Sequence, residues 1–500
     1  MELPVSLKGK KAIYISLGCK LNFAETSALA DQLASEGVSR ADKGEPADLC
    51  IINTCTVTEV ANHKSRQAIH KLVRDNPQAL TVVMGCYAQM SANEVRRITG
   101  VDLVVGMEQK GQVIPLLRKA LSEREAAIED IAATPSDTDH ATPDPAASTS
   151  DLIKNMPDSA AQSANSAADT MRQTGDHALH ESFISARKDI QTFVPSCSRG
   201  SRTRYFLKVQ DGCDYFCTYC AIPYARGKSR NTTIASLVSQ AEDVARRGGK
   251  EIVITGVNIG DFGRTTGESF YDLIQALDQV EGISRYRISS IEPNLLTPEI
   301  IDFCARSRAF MPHFHIPLQS GSDEVLRLMH RRYDTEFFYN RIQYIKKVMP
   351  DAFIGVDIMV GCRGETPECF EAAYDFAQRL DISQYHVFSY SERPGTAALR
   401  IPYIVDEREK HARSQRIIRL SEEKRQAFYA RYIGQKREVL TEHAKHGMPL
   451  HGFTDNYIRV ELPELSASAS NTDNRLVQVC LGGFNADHSA LIGKIIRYDR

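Results

Sequence analysis

Nowhere in these 500 residues is there an apolar run of about 18 residues, the length a helix needs to cross a bilayer. The start, MELPVSLKGKKAIYISLG, lacks the apolar stretch of a signal peptide. Neither sign of charge dominates: the net charge is −2. That excludes bulk attraction to nucleic acid, so any RNA contact needs local basic surface. No internal repeat of solenoid period is present. These absences leave a globular chain of about three domains. A cytoplasmic location is expected, with neither a membrane nor DNA as partner.

Cysteine, by contrast, is plentiful, with 12 residues. A chain this long needs no disulfide staples, and thiols in the cytosol stay reduced. Clustered cysteines there are metal ligands or catalysts more often than bridges.

Residues 10–120 alternate strand and helix signals. KAIYISLG, ADLCIINTC, LTVVMGC and VDLVVG read as strands, with helical patterns such as ETSALADQLASEG and HKSRQAIHKLVRD between them. Such alternation predicts an open parallel sheet with helices on its faces. Residues 121–200 change character and are dominated by Ala, Ser, Thr, Asp and Pro. With 13 acidic against 6 basic residues over 122–200, this stretch has too little apolar content for a core and reads as an acidic disordered linker. Its tail, near Phe183 to Val194, is expected against a neighbouring domain. Over 201–434 the rhythm returns, with FLKVQDG, EIVITG, YRISS, FHIPLQ, GVDIMVG and HVFSY as six strands. That predicts a partial (βα)6 barrel with its chemistry at the C-terminal strand ends. Residues 435–500 carry short strands between Gly, Asn and Asp turns, the pattern of a small antiparallel β-barrel.

The sharpest chemical signal is Cys213-Asp-Tyr-Phe-Cys217-Thr-Tyr-Cys220, just after the first barrel strand. Four thiolates would saturate a 4Fe-4S cluster, whereas three leave one iron open. An open coordination position is what a reactive centre needs. The bland alternative is a structural or zinc site, but zinc usually takes paired CxxC hooks or histidines. A second trio, Cys19, Cys55 and Cys86, stands directly after three predicted strands. Strand ends of a parallel sheet line one crevice, so these thiols are able to converge although distant in sequence. Any one of them alone is as readily a small buried residue. Cys50 lies inside ADLCII and is expected to pack in the sheet. Cys197, Cys304, Cys369 and Cys480 have no motif context.

CxxxCxxC after a first barrel strand resembles the radical-SAM superfamily. The addition of the N-terminal trio and of GFTDNYIRVEL, which is similar to a TRAM domain, resembles its methylthiotransferase family over almost the whole chain. The resemblance implies two 4Fe-4S clusters, one on Cys213, Cys217 and Cys220 and one on Cys19, Cys55 and Cys86. It also implies S-adenosylmethionine as methyl donor and radical source, a reducing partner such as flavodoxin or ferredoxin, and a sulfur donor. NTCTVTEVANHKSRQAI and GCDYFCTYCAIPYARGKSRN resemble the branch that methylthiolates C2 of threonylcarbamoyl-adenosine in the tRNA anticodon loop. Relatives acting on isopentenyl-adenosine or on a ribosomal protein differ around the cluster cysteines. One departure stands out: where the family has Phe-Pro-Gly-Glu, this chain has Cys362-Arg363-Gly364-Glu365.

Softer candidates for cofactor contact sit at predicted strand ends: Tyr219, Gly256, Asn258, Glu292, Gln319 and Ser320. Tyr219 resembles the aromatic whose backbone meets the adenine of S-adenosylmethionine. Each of the others is equally a turn or cap residue. His315, inside an apolar strand, reads as packed. For RNA, Arg226, Lys228, Arg230 and Arg393 offer phosphate or carboxylate contacts, or else a solvated rim. Tyr457 and Arg459 offer stacking and phosphate contact. No catalytic residue beyond the cysteines is legible.

Overall fold

The computed structural model describes residues 5–133, 180–198, 203–443, 449–466 and 473–498. Its first unit is a parallel sheet of β1 (Lys11–Ser16), β2 (Ser39–Arg40), β3 (Leu49–Thr54), β4 (Leu80–Gly85), β5 (Leu103–Val105) and β6 (Glu181–Phe183), in the order β2-β1-β3-β4-β5-β6. Every residue of β3 and β4 is buried, as expected where helices cover both faces. On one face Leu49, Ile51, Val82 and Met84 meet α1 (Lys20–Ser35) and α5 (Val113–Ala133). On the other, Cys50, Ile52 and Val83 meet α2 (Glu59–Asp75). Cys50 thus packs in the sheet as expected. The short helices α3 (Cys86–Met90) and α4 (Ala92–Arg96) follow β4.

The stretch read as a linker over 121–200 is ordered at both ends. Helix α5 runs to Ala133, and β6 pairs with β5. Then β7 (Ser196–Cys197) pairs antiparallel with the first barrel strand. These strands are two and three residues long, too short to show a period in sequence. The rest of the linker reading, over 134–179, lies outside the described residues.

The second unit begins with β8 (Arg204–Lys208) and the short antiparallel pair β9 (Gln210–Asp211) and β10 (Arg230–Asn231). Its wall continues through β11 (Glu251–Thr255), β12 (Arg285–Ile288), β13 (His313–Gln319), β14 (Phe353–Val360) and β15 (Gln384–Ser389). The ladders β8-β11-β12 and β13-β14-β15 are parallel, and parallel bridges from Tyr286 to Phe310 and Ser290 to His315 join them. Six parallel strands thus make the expected open barrel. Eight helices accompany it among the described residues: α6 (Ile222–Arg226), α7 (Ile234–Arg246), α8 (Phe270–Asp278), α9 (Pro298–Arg306), α10 (Asp323–Leu328), α11 (Thr335–Val348), α12 (Pro367–Arg379) and α13 (Glu407–Ala430). Local chemistry starts several of them. Ser269 and Asp272 form a capping box on α8, and Asp406 accepts from the amides of Arg408 and Glu409 on α13.

Strand alternation decides what faces the lumen. Phe314, Ile316, Leu318, Ile354, Val356, Ile358 and Tyr385 lie in the core with the helices. Their neighbours His315, Gly355, Asp357 and His386 take the opposite face. The open side of the barrel is closed by the first unit. Phe23 of α1 packs edge-on to Phe206 of β8 at 5.8 Å. At the other edge Arg393, just past β15, pairs with Glu59 at 3.0 Å and donates to Thr56 Oγ1 at 2.8 Å.

The C-terminal unit is a closed barrel of β16 (Lys436–Thr441), β17 (Pro449–Thr454), β18 (Arg459–Ser466), β19 (Leu476–Phe484) and β20 (Leu491–Tyr498), in the order β16-β17-β18-β20-β19. It is mixed, which corrects the expectation of an antiparallel barrel, because β18 and β20 pair in parallel. GFTDNYIRVEL is also two strands joined by a turn, in which Tyr457 adopts φ +66°. This barrel docks on the second unit through buried arginines. Arg285 donates to Phe453 O at 2.9 Å, and Arg287 to Thr454 O and Asp455 O at 2.8 Å.

Candidate active site

Cys213, Cys217 and Cys220 occupy the loop between β9 and α6. Gly212, at φ +73°, opens it: a Cβ there would fall 1.9 Å from Lys228 O, so only glycine fits. Cys213 N–H donates to Gly227 O at 3.1 Å, and Cys220 N–H to Cys217 O at 3.0 Å, which folds the loop back on itself. Burial pushes the Cys213 and Cys220 thiols up to about 12, and the neighbouring thiols add to the shift. Protons are held that tightly unless a metal replaces them. Arg331 donates to Cys217 Sγ at 3.1 Å and to Tyr219 OH at 3.4 Å, and pairs with Glu292. Nothing in HRRYD marks this arginine, so sequence reasoning missed it.

Gln210, also missed, ties this loop to the next strand end. Its Nε2 donates to Gly212 O at 2.7 Å, and its Oε1 accepts from the amides of Val257 and Asn258 at 3.0 and 2.8 Å. A Cβ on Gly256 would fall 2.7 Å from Ile259 and 3.0 Å from Gln210 Oε1. Asn258 is buried, and neither of its side-chain amide atoms has a partner among the described residues. A buried unpaired amide is costly, so this position fits a polar cofactor group. Gln319 sits at φ +66° where the β13–β14 register shifts. Ser320 is buried and its hydroxyl accepts from Ser322 N–H at 3.2 Å. Glu292 is engaged by Arg331.

The second trio is assembled by strand register. Ser16 pairs with Asn53 and Thr54 with Gly85, so Cys19, Cys55 and Cys86 follow the ends of three adjacent strands. Strands are about 4.8 Å apart, which brings the thiols across roughly 10 Å. A Cβ on Gly18 would lie 2.7 Å from Cys55 Sγ. Cys55 is pushed up to about 11 by burial, with Cys86 and Cys19 adding to it. Burial raises Cys86 as well, opposed by Arg226 and Lys110.

Behind this trio lies a buried ion network. Glu25 meets Lys110, Lys208 at 2.8 Å and Arg226 at 3.2 Å. Asp211 meets Lys208 at 2.7 Å, Arg226 at 2.8 Å and Arg230 at 3.2 Å. Four cations face two carboxylates, and Arg226 acts on both Cys86 and Cys19. Surplus buried positive charge calls for an anion. A cluster carried on three thiolates fits that demand.

The readings of the cationic residues change accordingly. Arg226 and Arg230 lie in this network and Arg393 in the clasp with Glu59, because unpaired guanidinium groups are not left between packed units. Lys228 remains exposed. Tyr457 is no free stacking platform, since His313 packs on it at 4.2 Å and Arg204 donates to its hydroxyl at 2.9 Å. His315 is not a packed core residue. Its Nε2 lies 2.6 Å from Asp357 Oδ1 on the lumen face, and His386 stands beside it. Cys362 fills an apolar cluster with Val325, Met329 and Tyr390, and Glu365 is bound by Arg413 at 2.8 Å, so the departure from the family motif leaves the loop held.

The radical SAM superfamily matches residues 207–377, and the uncharacterized protein family UPF0004 matches 11–106. The threonylcarbamoyladenosine tRNA methylthiotransferase MtaB of Bacillus subtilis is 36% identical over 89% of this chain and 88% of its own. That of Aquifex aeolicus is 32% identical over 90% of this chain and 96% of its own. The chain belongs to the MtaB family of radical-SAM methylthiotransferases. Members of the radical-SAM superfamily work with a 4Fe-4S cluster and S-adenosylmethionine, and the loop trio is where the superfamily motif falls. Among solved structures, the radical S-adenosylmethionine methyltransferase TsrM of Kitasatospora setae aligns at TM-score 0.48 and 17% identity over 78% of this chain and 74% of its own. That likeness is too low to inform the site. No helix among the described residues is long and apolar enough to cross a membrane.

Proposed function

We propose that this MtaB-family enzyme puts a methylthio group on C2 of threonylcarbamoyl-adenosine beside the tRNA anticodon. The observation that carries the reading is the presence of two thiol trios, one in the loop after β9 and one behind three adjacent strand ends of the N-terminal sheet, in a chain alike to the MtaB enzymes over about nine-tenths of its length. Cys213, Cys217 and Cys220 hold the radical 4Fe-4S cluster. Cys19, Cys55 and Cys86 hold an auxiliary one, whose negative charge the Arg226 and Lys110 side chains offset. When bound, the radical cluster and S-adenosylmethionine supply one-electron chemistry able to activate a C–H bond.

The chain's own residues prepare that chemistry. Arg331, fixed by Glu292, donates an N–H to Cys217 Sγ. Such outer hydrogen bonds tune a cluster's potential. Gln210 holds Asn258 in place, leaving its amide free for a polar group of the cofactor, and Tyr219, Gly256, Gln319 and Ser320 line the same mouth. The target base lies in a single-stranded loop, so it enters without opening a duplex. Lys228 and the C-terminal barrel supply RNA-facing surface. The reaction requires a reducing partner such as flavodoxin or ferredoxin and a sulfur donor, all in the cytoplasm.

Nucleoside mass spectrometry of tRNA from cells with and without this protein tests the reading. Methylthio-threonylcarbamoyl-adenosine should vanish in its absence. An unchanged pool, or loss of an isopentenyl derivative instead, would assign the enzyme to another substrate.

A further inference from the structure

Three polar side chains share the lumen face of the barrel wall: His315 of β13, Asp357 of β14 and His386 of β15. Strand register brings them together. Gly355 pairs with His315 on one side of β14, and Asp357 pairs with His386 on the other. Residues 355 and 357 point the same way because side chains alternate along a strand. His315 Nε2 lies 2.6 Å from Asp357 Oδ1. The rings of His315 and His386 stand 4.8 Å apart, although β14 runs between their strands. Glycine at 355 permits that approach, since a Cβ there would fall 3.1 Å from His386 Nε2.

A hydrogen-bonded pair accounts for His315 and Asp357 but not for His386. Among the described residues, neither ring nitrogen of His386 has a hydrogen-bond partner. A partly buried imidazole drawn over a glycine and left without a partner calls for a ligand. One donor atom from each of the three residues lies within 4.8 Å of the others. Donors bound to one ion at about 2.1 Å stand about 3 Å apart, so small side-chain rotations seat an ion among them. Two imidazoles and a carboxylate are a donor set for divalent first-row metals, and a neutral imidazole supplies the lone pair this needs. Arg204 of β8 and Arg287 of β12 have their own counter-ions, Glu442 at 2.8 Å and Glu251 at 2.9 Å, so neither guanidinium depends on Asp357.

We propose that His315, Asp357 and His386 bind a divalent transition-metal ion of the zinc or iron(II) class, a third metal centre separate from both thiol trios. It has no sulfur ligand, and all its protein ligands come from adjacent strands of the barrel wall. Because those ligands approach from one side, the ion keeps open positions toward the lumen. Water fills them, or an oxygen or nitrogen donor of a molecule held in the barrel. The ion takes the place of the proton shared by His315 and Asp357, so the carboxylate is paired whether or not metal is bound.

The test uses the full-length enzyme with both clusters in place, and zinc as the probe. The protein is equilibrated with Zn2+ and dialysed, and zinc and iron are measured in the same sample. About one zinc per chain should be retained without loss of iron. X-ray absorption at the zinc edge should show only nitrogen and oxygen neighbours, at about 2.0–2.2 Å. Asp357→Asn and His386→Gln should each weaken zinc binding by more than about 100-fold, beyond the cost of losing an outer-shell partner. Iron content and visible absorbance check that each variant keeps its clusters. If a variant loses them, the zinc spectrum of the unmodified enzyme decides alone. No retained zinc, a sulfur neighbour in the spectrum, or unchanged zinc affinity in the cluster-bearing variants would overturn the site.

Discussion

The two thiol trios reach similar arrangements by opposite means. In the loop trio, Cys213, Cys217 and Cys220 are brought together by two backbone hydrogen bonds and a left-handed glycine within one short segment. In the strand-end trio, nothing local brings Cys19, Cys55 and Cys86 together. Their meeting depends on the β1–β3 and β3–β4 registers, and their charge balance depends on Arg226 and Lys208 reaching in from the barrel. The loop trio is thus a property of a peptide, and the strand-end trio a property of two packed units. Damage to the interface should therefore fall on one trio and largely spare the other.

The largest effect comes from removing a thiol. Cys217→Ala should abolish methylthiolation and leave about four of about eight irons per chain, and Cys55→Ala should leave the complementary four. Iron and sulfide analysis reads both, and loss of all iron from either change would mean that the trios are not independent. Next in size is Glu25→Ala, which leaves Lys110, Lys208 and Arg226 short of a carboxylate in a buried site. Breaking such a network costs about 3–5 kcal/mol. The denaturation midpoint should fall, and iron should be lost from the strand-end trio before the loop trio. Equal loss from both would erase the contrast drawn above.

Acid should act through the same groups. The surrounding cations hold the Glu25 and Asp211 carboxyls well below their ordinary range, against the opposing effect of burial. A group depressed in the folded state stabilises fully above its unfolded pKa, about 4 for a carboxyl, and loses that contribution as pH falls toward the folded value. Urea midpoints measured downward from about pH 5 should therefore decline, and Glu25→Gln should flatten the decline; an identical slope in that variant would place the acid sensitivity elsewhere. The smallest effect is expected from deleting residues 140–175, in the composition-poor segment between α5 and β6. Closing the shorter connection changes loop entropy by only about 1 kcal/mol, so activity should persist. Loss of folding would show that the segment contributes to the core.

Much of the architecture was legible because it is periodic. All six barrel strands and β1, β3, β4 and β5 of the first sheet coincide with apolar runs, and CxxxCxxC identifies itself by spacing. β6 (ESF) and β7 (SC) escaped because strands of two or three residues carry no period and, unlike the equally short β5 inside VDLVVG, neither lies in an apolar run. Arg331 and Gln210 escaped because their work is done across the fold, on Cys217 and on the Asn258 amide. Arg226, Arg230 and Arg393 were misread for a related reason: in a sequence, a basic residue near a motif looks the same whether it faces RNA or a buried carboxylate.

The sequence by itself determined which atoms are available for chemistry, because residue type and spacing within one turn or strand act locally. Only the tertiary structure decided which of those atoms share a space: that three strand-end thiols stand side by side, that Arg226 serves Glu25 rather than a phosphate, and that His315 meets Asp357 across two strands. Those outcomes depend on strand register and on how one unit closes another's open edge. They are set by the burial of charge and apolar surface between segments far apart in sequence, 204 residues in the Asn22–Arg226 bond and 337 in the Thr56–Arg393 bond.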